Sequence, residues 1–389
     1  MRIAFYYESM NLGGQQTQTY HIIKRIPPKD HEVHMIYLYG DGMQNAIAAH
    51  AKLHQIPIHL AGKDYLFRPW KLITILRALT AYCRSNRFDI IVSGSGLGSL
   101  LCGLVARRLR IRHYRFIGCS LIQVEPTLYR FYRWICIDKL IDGYFGWQAV
   151  FEELKRKGVS QSKLFELRLC VDTTMFFPFD TPKRDAVRNS LGIFSDEIVI
   201  GWVGRIATNM QVGNTVALCK ELRDLGFHRF RLLLVGGGPW FDGIQKLIRD
   251  WGLTDRTILT GWVPMSEVNQ FINAMDIVPL LEEDPQGGSI VREAMACGRI
   301  ALSVDGKSGT QRNFMVPGAA VLVNPQDFVQ EAARVIRNLV DKKEVMWEIG
   351  AKARAYAEQH LNFQAQVDSF LRIIKAGMSA NNPTASESD

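Results

Sequence analysis

Short apolar runs alternate with segments of helical apolar spacing along most of this 389-residue chain, and the alternation occurs twice. In the first half, strand-like runs at 2–7, 32–38, 89–92, 113–117 and 143–146 are separated by helix-like segments at 15–25, 72–85 and 97–109. In the second, runs at 198–203, 231–235, 257–260, 277–281 and 300–304 alternate with helical patterns at 214–225, 241–251, 268–275 and 289–297. Apolar runs followed by helices belong to parallel strands covered on both faces, so the pattern predicts an α/β chain with two doubly wound, Rossmann-like domains. The length also exceeds what one hydrophobic core organises. The expected layout is a first domain over 1–172, a linker over 173–196 and a second domain over 197–360. Amphipathic helices are expected at 328–358 and 363–376, and the terminal helical segment, 361–378, is long enough to cross back onto the first domain. The Ser/Asn/Pro/Asp-rich residues 379–389 are expected to be disordered.

The 47% apolar and 22% charged composition is that of a globular protein. No stretch of about 20 apolar residues is present, and Glu8 interrupts the apolar start, so neither a membrane span nor a secretory signal is expected and the chain is placed in the cytoplasm. Seven cysteines without a CxxC pair read as buried thiols, with no disulfide frame and no zinc site. Residues 1–172 carry a net charge of +11 and the remainder −2. The cations cluster with aromatics around Arg107, Arg108, Arg110 and Arg112 and again around Arg130 and Arg133. That composition suits an anionic membrane surface, on the inner face of a membrane, or a phosphate-bearing acceptor. No nucleic-acid module accompanies it, so nucleic acid is not an expected partner.

Residues 276–298 join a buried strand, an acidic turn, the pair Gly287–Gly288 and a helix start. Glycines let backbone N–H groups approach a ligand, and the helix N-terminus adds partial positive charge, so the stretch predicts a diphosphate site. Glu293, one turn into the helix, is placed to accept hydrogen bonds from ribose hydroxyls. Its neighbour Arg292 points elsewhere, because adjacent helical residues diverge by about 100°.

Several stretches, in order, resemble a retaining family 4 glycosyltransferase of the GT-B architecture: the glycine loop 11–14, the linker 169–178, Gly204–Arg205, and the segments 235–239, 260–264 and 292–298. The resemblance implies two domains facing across a cleft, and a UDP- or GDP-linked sugar as donor with no metal or other cofactor. It also implies transfer with retention to a cell-envelope, polysaccharide or lipid-linked acceptor. Carried over residue by residue, it assigns donor binding to Gly13, Gly14, Gly204, Arg205, Gly236, Gly237, Val263, Gly287, Gly288, Ser289, Ile290 and Glu293, and catalysis to Arg205, Glu283 and Asp284. The chain departs from the family at Met210, where a lysine is usual, at Pro285, where a glutamate is usual, and at Gly118–Cys119–Ser120, where a histidine often ends a strand; His113 lies too early to replace it. The alternative function is a catalytically degenerate binding or scaffolding subunit working beside a partner transferase. A GT-B epimerase acting on a sugar nucleotide fits the signatures less well.

Overall fold

The computed structural model describes residues 1–389 except 11–13, 41–42, 59–68, 95, 118–136, 168, 208–209, 286–287 and 380–389. The chain forms two compact units, Met1–Arg168 with Phe363 onward, and Leu169–Asn362.

The first unit is built on seven parallel strands: β1 (Arg2–Ser9), β2 (Glu32–Tyr39), β3 (Lys52–Gln55), β4 (Ile90–Ser93), β5 (Arg112–Phe116), β6 (Gly143–Gly146) and β7 (Leu164–Glu166). Their order is β3-β2-β1-β4-β5-β6-β7. Along β1, Ile3, Phe5 and Tyr7 enter one core and Ala4 and Tyr6 the other, the period-2 alternation of a strand apolar on both faces. One face is covered by helix Phe363–Ser379, whose Phe370 ring lies 6.1 Å from Phe5 and 5.1 Å from Phe145. Helices Pro69–Asn86 and Gly96–Leu109 cover the other through Ile75, Leu79, Leu101 and Val105. His113 in β5 is fully buried and neutral in role: Nε2 lies 2.8 Å from Ser93 Oγ and Nδ1 2.8 Å from the Leu140 carbonyl. It is a strand side chain, as its early position requires.

The second unit carries β8 (Ile198–Val203), β9 (Phe230–Val235), β10 (Thr257–Leu259), β11 (Ile277–Leu280), β12 (Ile300–Val304) and β13 (Val321–Val323), all parallel, in the order β10-β9-β8-β11-β12-β13. The segment 173–196, expected as a linker, lies inside this unit. Its helix Thr181–Ser190 is capped by Asp180, which accepts from the Lys183 N–H, and Arg184 and Arg188 grip Asp276 at 2.5 and 3.0 Å. Asp276 also accepts from the Val199 N–H, so one carboxylate joins this helix to β8 and β11. The single helix expected over 328–358 is two, Phe328–Leu339 and Lys343–His360, with buried Val340 at the break. Strands β3, β7 and β13, three or four residues long and at sheet edges, do not stand out in the sequence, although β10, as short and also at an edge, does.

Candidate functional site

In both sheets the strand order reverses beside the first strand, between β1 and β4 and between β8 and β11. Open α/β sheets bind ligands at the carboxyl ends of strands flanking such a reversal. In the first unit, the Glu8 carboxylate at the end of β1 accepts from the Gly98 N–H at 3.0 Å, so the start of helix Gly96–Leu109 already holds an internal anion. In the second unit the corresponding helix, Ser289–Ala296, starts after Gly288 with no side-chain cap from the described residues. Its first N–H groups have no intrahelical acceptor and concentrate partial positive charge.

The loop after β8 supplies the next part. Gly204 has φ 152°, open to glycine and strained for other residues, and Arg205 follows with its side chain exposed. This loop is stitched to the loop after β9 by Gly204 N–H to Val235 O at 3.0 Å, Ile206 N–H to Gly237 O at 2.9 Å and Trp240 N–H to Ile206 O at 3.1 Å. A Cβ on Gly236 would sit 2.0 Å from Gly204 O, and one on Gly237 would sit 2.8 Å from the Trp262 indole. Gly236 and Gly237, expected as donor contacts, therefore shape the loop that carries Arg205. Trp262 is 66% exposed, and Val263 is partly buried against the core.

On helix Ser289–Ala296, Ser289 is exposed and Ile290 buried. Arg292 turns into the core: Nη1 donates to Gly288 O at 3.2 Å, Nε to Cys170 O at 3.3 Å, and the guanidinium lies 5.2 Å from the Phe314 ring centroid. Burial lowers its pKa to about 10. The contact to Gly288 O clamps the helix start. Glu293 diverges from Arg292 and is partly buried; desolvation raises its carboxyl above the ordinary range, opposed by a hydrogen bond with Ser289 and by the Arg292 charge.

The acidic turn separates its three carboxylates. Asp284 Oδ1 accepts from the Ser308 N–H at 2.9 Å, and a Cβ on Gly306 would sit 2.4 Å from that oxygen, so Asp284 ties the turn to the loop after β12. Glu283 is 77% exposed, 3.9 Å from Lys307. Glu282, the first carboxylate of the turn, is half-buried; burial raises its pKa against a hydrogen bond from Gln211. Asn214 Nδ2 donates to Leu281 O at 2.8 Å, so helix Met210–Asp224 is fastened to the end of β11. Nothing in spacing distinguishes Gln211 and Asn214 from ordinary polar helix residues. A groove of about 500 Å³ beside this turn is lined by Asp305, Lys307, Arg312 and Asn324.

Gly13 and Gly287 lie outside the described residues, as do Arg130 and Arg133, while Gly14 opens helix Gly14–Ile23 of the first unit. Arg107, Arg108 and Arg110 are exposed. Arg112 does not belong with them: it is a β5 residue whose Nη1 lies 2.8 Å from Asp142 Oδ1, with the side chain 23% exposed. The five described cysteines are buried free thiols, as the sequence suggests. A second groove, about 730 Å³, lies at the opposite, amino-terminal ends of β1–β3, where Glu32 is already paired with Arg2 and Lys52. Among the described residues no group of three or more His, Cys, Asp or Glu side chains converges for a metal, and no helix is long and apolar enough to cross a membrane.

Residues 183–356, nearly all of the second unit, match the family model of glycosyl transferases group 1. The second unit matches group 1 glycosyl transferases. Curated relatives of the matched region include the 2-deoxystreptamine glucosyltransferase of Streptomyces kanamyceticus, 32% identical over 41% of this chain and 41% of that protein. The D-inositol 3-phosphate glycosyltransferase of Saccharomonospora viridis is 26% identical over 56% of this chain and 51% of that protein. The chain thus spans about half or less of these relatives. Among solved structures, HepE of Anabaena in complex with UDP aligns with a TM-score of 0.80 at 16% identity, covering 97% of this chain and 100% of that one. Sucrose-phosphate synthase of Thermosynechococcus elongatus aligns with a TM-score of 0.78 at 17% identity over 98% of this chain and 100% of that one. The group 1 match and these alignments agree with the two Rossmann-like units of the GT-B fold class.

Proposed function

We propose that the chain is a glycosyltransferase whose second unit binds a UDP- or GDP-linked sugar at the β8–β11 reversal. In this reading the sugar passes, with retention of configuration, to an envelope glycan, polysaccharide or lipid-linked acceptor. The observation that carries the reading is the contrast between the two reversal points. In the first unit a protein carboxylate satisfies the helix start, whereas in the second the equivalent start follows a glycine with no side-chain cap from the described residues.

Departure of a nucleoside diphosphate places negative charge on the phosphates as the anomeric bond breaks. Fixed N–H dipoles at Ser289 and Ile290, with the Arg205 guanidinium, stabilise that charge without reorganising. Glu293 accepts hydrogen bonds from the ribose, and burial beside Arg292 fixes its position. Glu282, Glu283 and Asp284 are the candidate acids near the sugar, and Glu282 is held by its burial and its bond to Gln211. The relatives named above are transferases, which favours turnover over the scaffolding alternative.

The test is calorimetry with UDP and GDP beside a nucleotide-sugar turnover assay. Arg205→Ala removes a charge-assisted phosphate contact of about 1.5–3 kcal/mol, so affinity should fall roughly 10- to 150-fold. Glu293→Gln should lower it less, because an amide oxygen still accepts one hydrogen bond. Wild-type affinity in both variants would refute the site, and nucleotide binding without turnover would return the scaffolding reading.

A further inference from the structure

We infer that the outer face of helices Pro69–Asn86 and Gly96–Leu109 is a docking surface for an anionic lipid bilayer. Both helices send their apolar stripes, Ile75, Leu79 and Cys83 on one and Leu101, Cys102 and Val105 on the other, into the same core over the same face of the first sheet. Their remaining faces therefore look outward together. On the first helix the outward stripe reads Trp70, Ile73, Thr74, Arg77, Ala81 and Arg84, a helical repeat of three and four. On the second it reads Leu104, Arg107 and Arg108. Trp70 is 61%, Ile73 50% and Leu104 42% exposed, and each is an apolar group that a surface surrounded by water does not require.

The charge pattern selects the partner. Neither helix contains an Asp or a Glu, although ordinary surface helices mix both signs. Among the described residues, Arg77, Arg84, Arg107 and Arg108 make no ion pair. Arg87 and Arg110, just past the two helix ends, hold left-handed φ values of 49° and 57°, a conformation that favours glycine. Cations thus occupy two positions where backbone geometry favours another residue. Arginines flanking exposed Trp, Ile and Leu match the headgroup region of a bilayer, where the indole sits at the interface, the aliphatic residues enter the acyl boundary and arginine stems reach phosphates. A nucleic acid would use the charge but leave Ile73 and Leu104 without purpose. This inference extends the acceptor side of the proposed function and rests on it only for its purpose, since the surface belongs to the first unit alone.

The experiment is co-sedimentation of the full chain with vesicles of phosphatidylcholine alone and of phosphatidylcholine mixed with phosphatidylglycerol, at low and high salt. The wild type should bind only the mixed vesicles, and less as salt rises. Each near-surface arginine contributes about fivefold in partition, so Arg107→Glu with Arg108→Glu should reduce it by at least about 25-fold. Trp70→Ala with Ile73→Ser should also weaken binding while leaving its salt dependence, and should abolish any vesicle-induced blue shift contributed by Trp70. All four side chains are exposed, and unchanged melting temperatures check that the variants fold. Equal binding to neutral and anionic vesicles, wild-type partition in both variants, or binding of a single-stranded RNA without vesicle binding would overturn the inference. Calorimetry with UDP on the same proteins separates the two readings. Vesicle binding without UDP binding sinks the donor site alone, and UDP binding without vesicle binding sinks the docking surface alone.

Discussion

At the residue scale, neighbours decide what a side chain is for. His113 is a polar residue in a strand, and its chemistry is set by the Ser93 hydroxyl and the Leu140 carbonyl on its two nitrogens. Burial lowers its pKa from 6.5 to about 4, with the Leu140 hydrogen bond opposing. A histidine whose folded pKa lies below its unfolded value stabilises the fold fully above the unfolded value, and that stability is lost as pH falls from 6.5 toward 4. Lowering the pH from about 7 to about 5 should therefore cost about 2 kcal/mol from this residue. Urea melts of the first unit followed at both pH values should show the loss, and His113→Gln should flatten it. An unchanged pH slope in the variant would assign the loss to other groups. The arginines show the same dependence on surroundings. Arg292, Arg112 and Arg107 look alike in the sequence, yet one clamps a helix start from the core, one pairs with Asp142 and one is exposed.

At the element scale, the site consists of loops held by one another. The loop after β8 is positioned by the loop after β9, and their separation depends on Gly236, whose φ is 125° and whose Hα faces the Gly204 carbonyl. Gly236→Ala places a methyl group inside that contact and forces a left-handed backbone on a residue with a Cβ. It should destabilise the second unit by about 1–3 kcal/mol and displace Arg205. The check is a thermal melt paired with UDP calorimetry; a variant with wild-type melting and wild-type affinity would show that the two loops are not coupled. The glycine run 236–238 was visible in the sequence, but its partner was not, because contact between loops after adjacent strands follows from strand order. Asp284 and Ser308 are a similar case, 24 residues apart and joined because β11 and β12 are neighbours.

At the scale of the whole molecule, the chain's last described helix belongs to its first unit. Val367, Phe370, Leu371 and Ile374 complete the core over β1 and β6, and Arg25 lies 5.2 Å from the Phe363 ring centroid. Ending the chain after Asn362 uncovers that core. Losing one large buried side chain costs about 2–5 kcal/mol, so losing four exceeds the 5–15 kcal/mol that stabilises a typical domain at its lower bound. The truncated chain should lose protection from hydrogen exchange across β1–β6 and retain it across β8–β13, with UDP affinity preserved. Protection kept in the first unit would show that the helix is dispensable there.

The sequence alone determined the fold class, because parallel strands buried on both faces must be apolar throughout and must be followed by helices. It also located the glycine turns and the helix start at residues 288–289, since local backbone demands are written locally. It left three matters to the tertiary structure. The segment 173–196 joined the second unit because Asp276 accepts from Arg184 and Arg188, contacts that span 88 to 92 residues. The edge strands β3, β7 and β13 formed by pairing with neighbours, which their own three or four residues do not specify. The basic first half divided into paired and exposed arginines, because net charge is additive along the chain, whereas exposure depends on which face of each helix and strand packs inward.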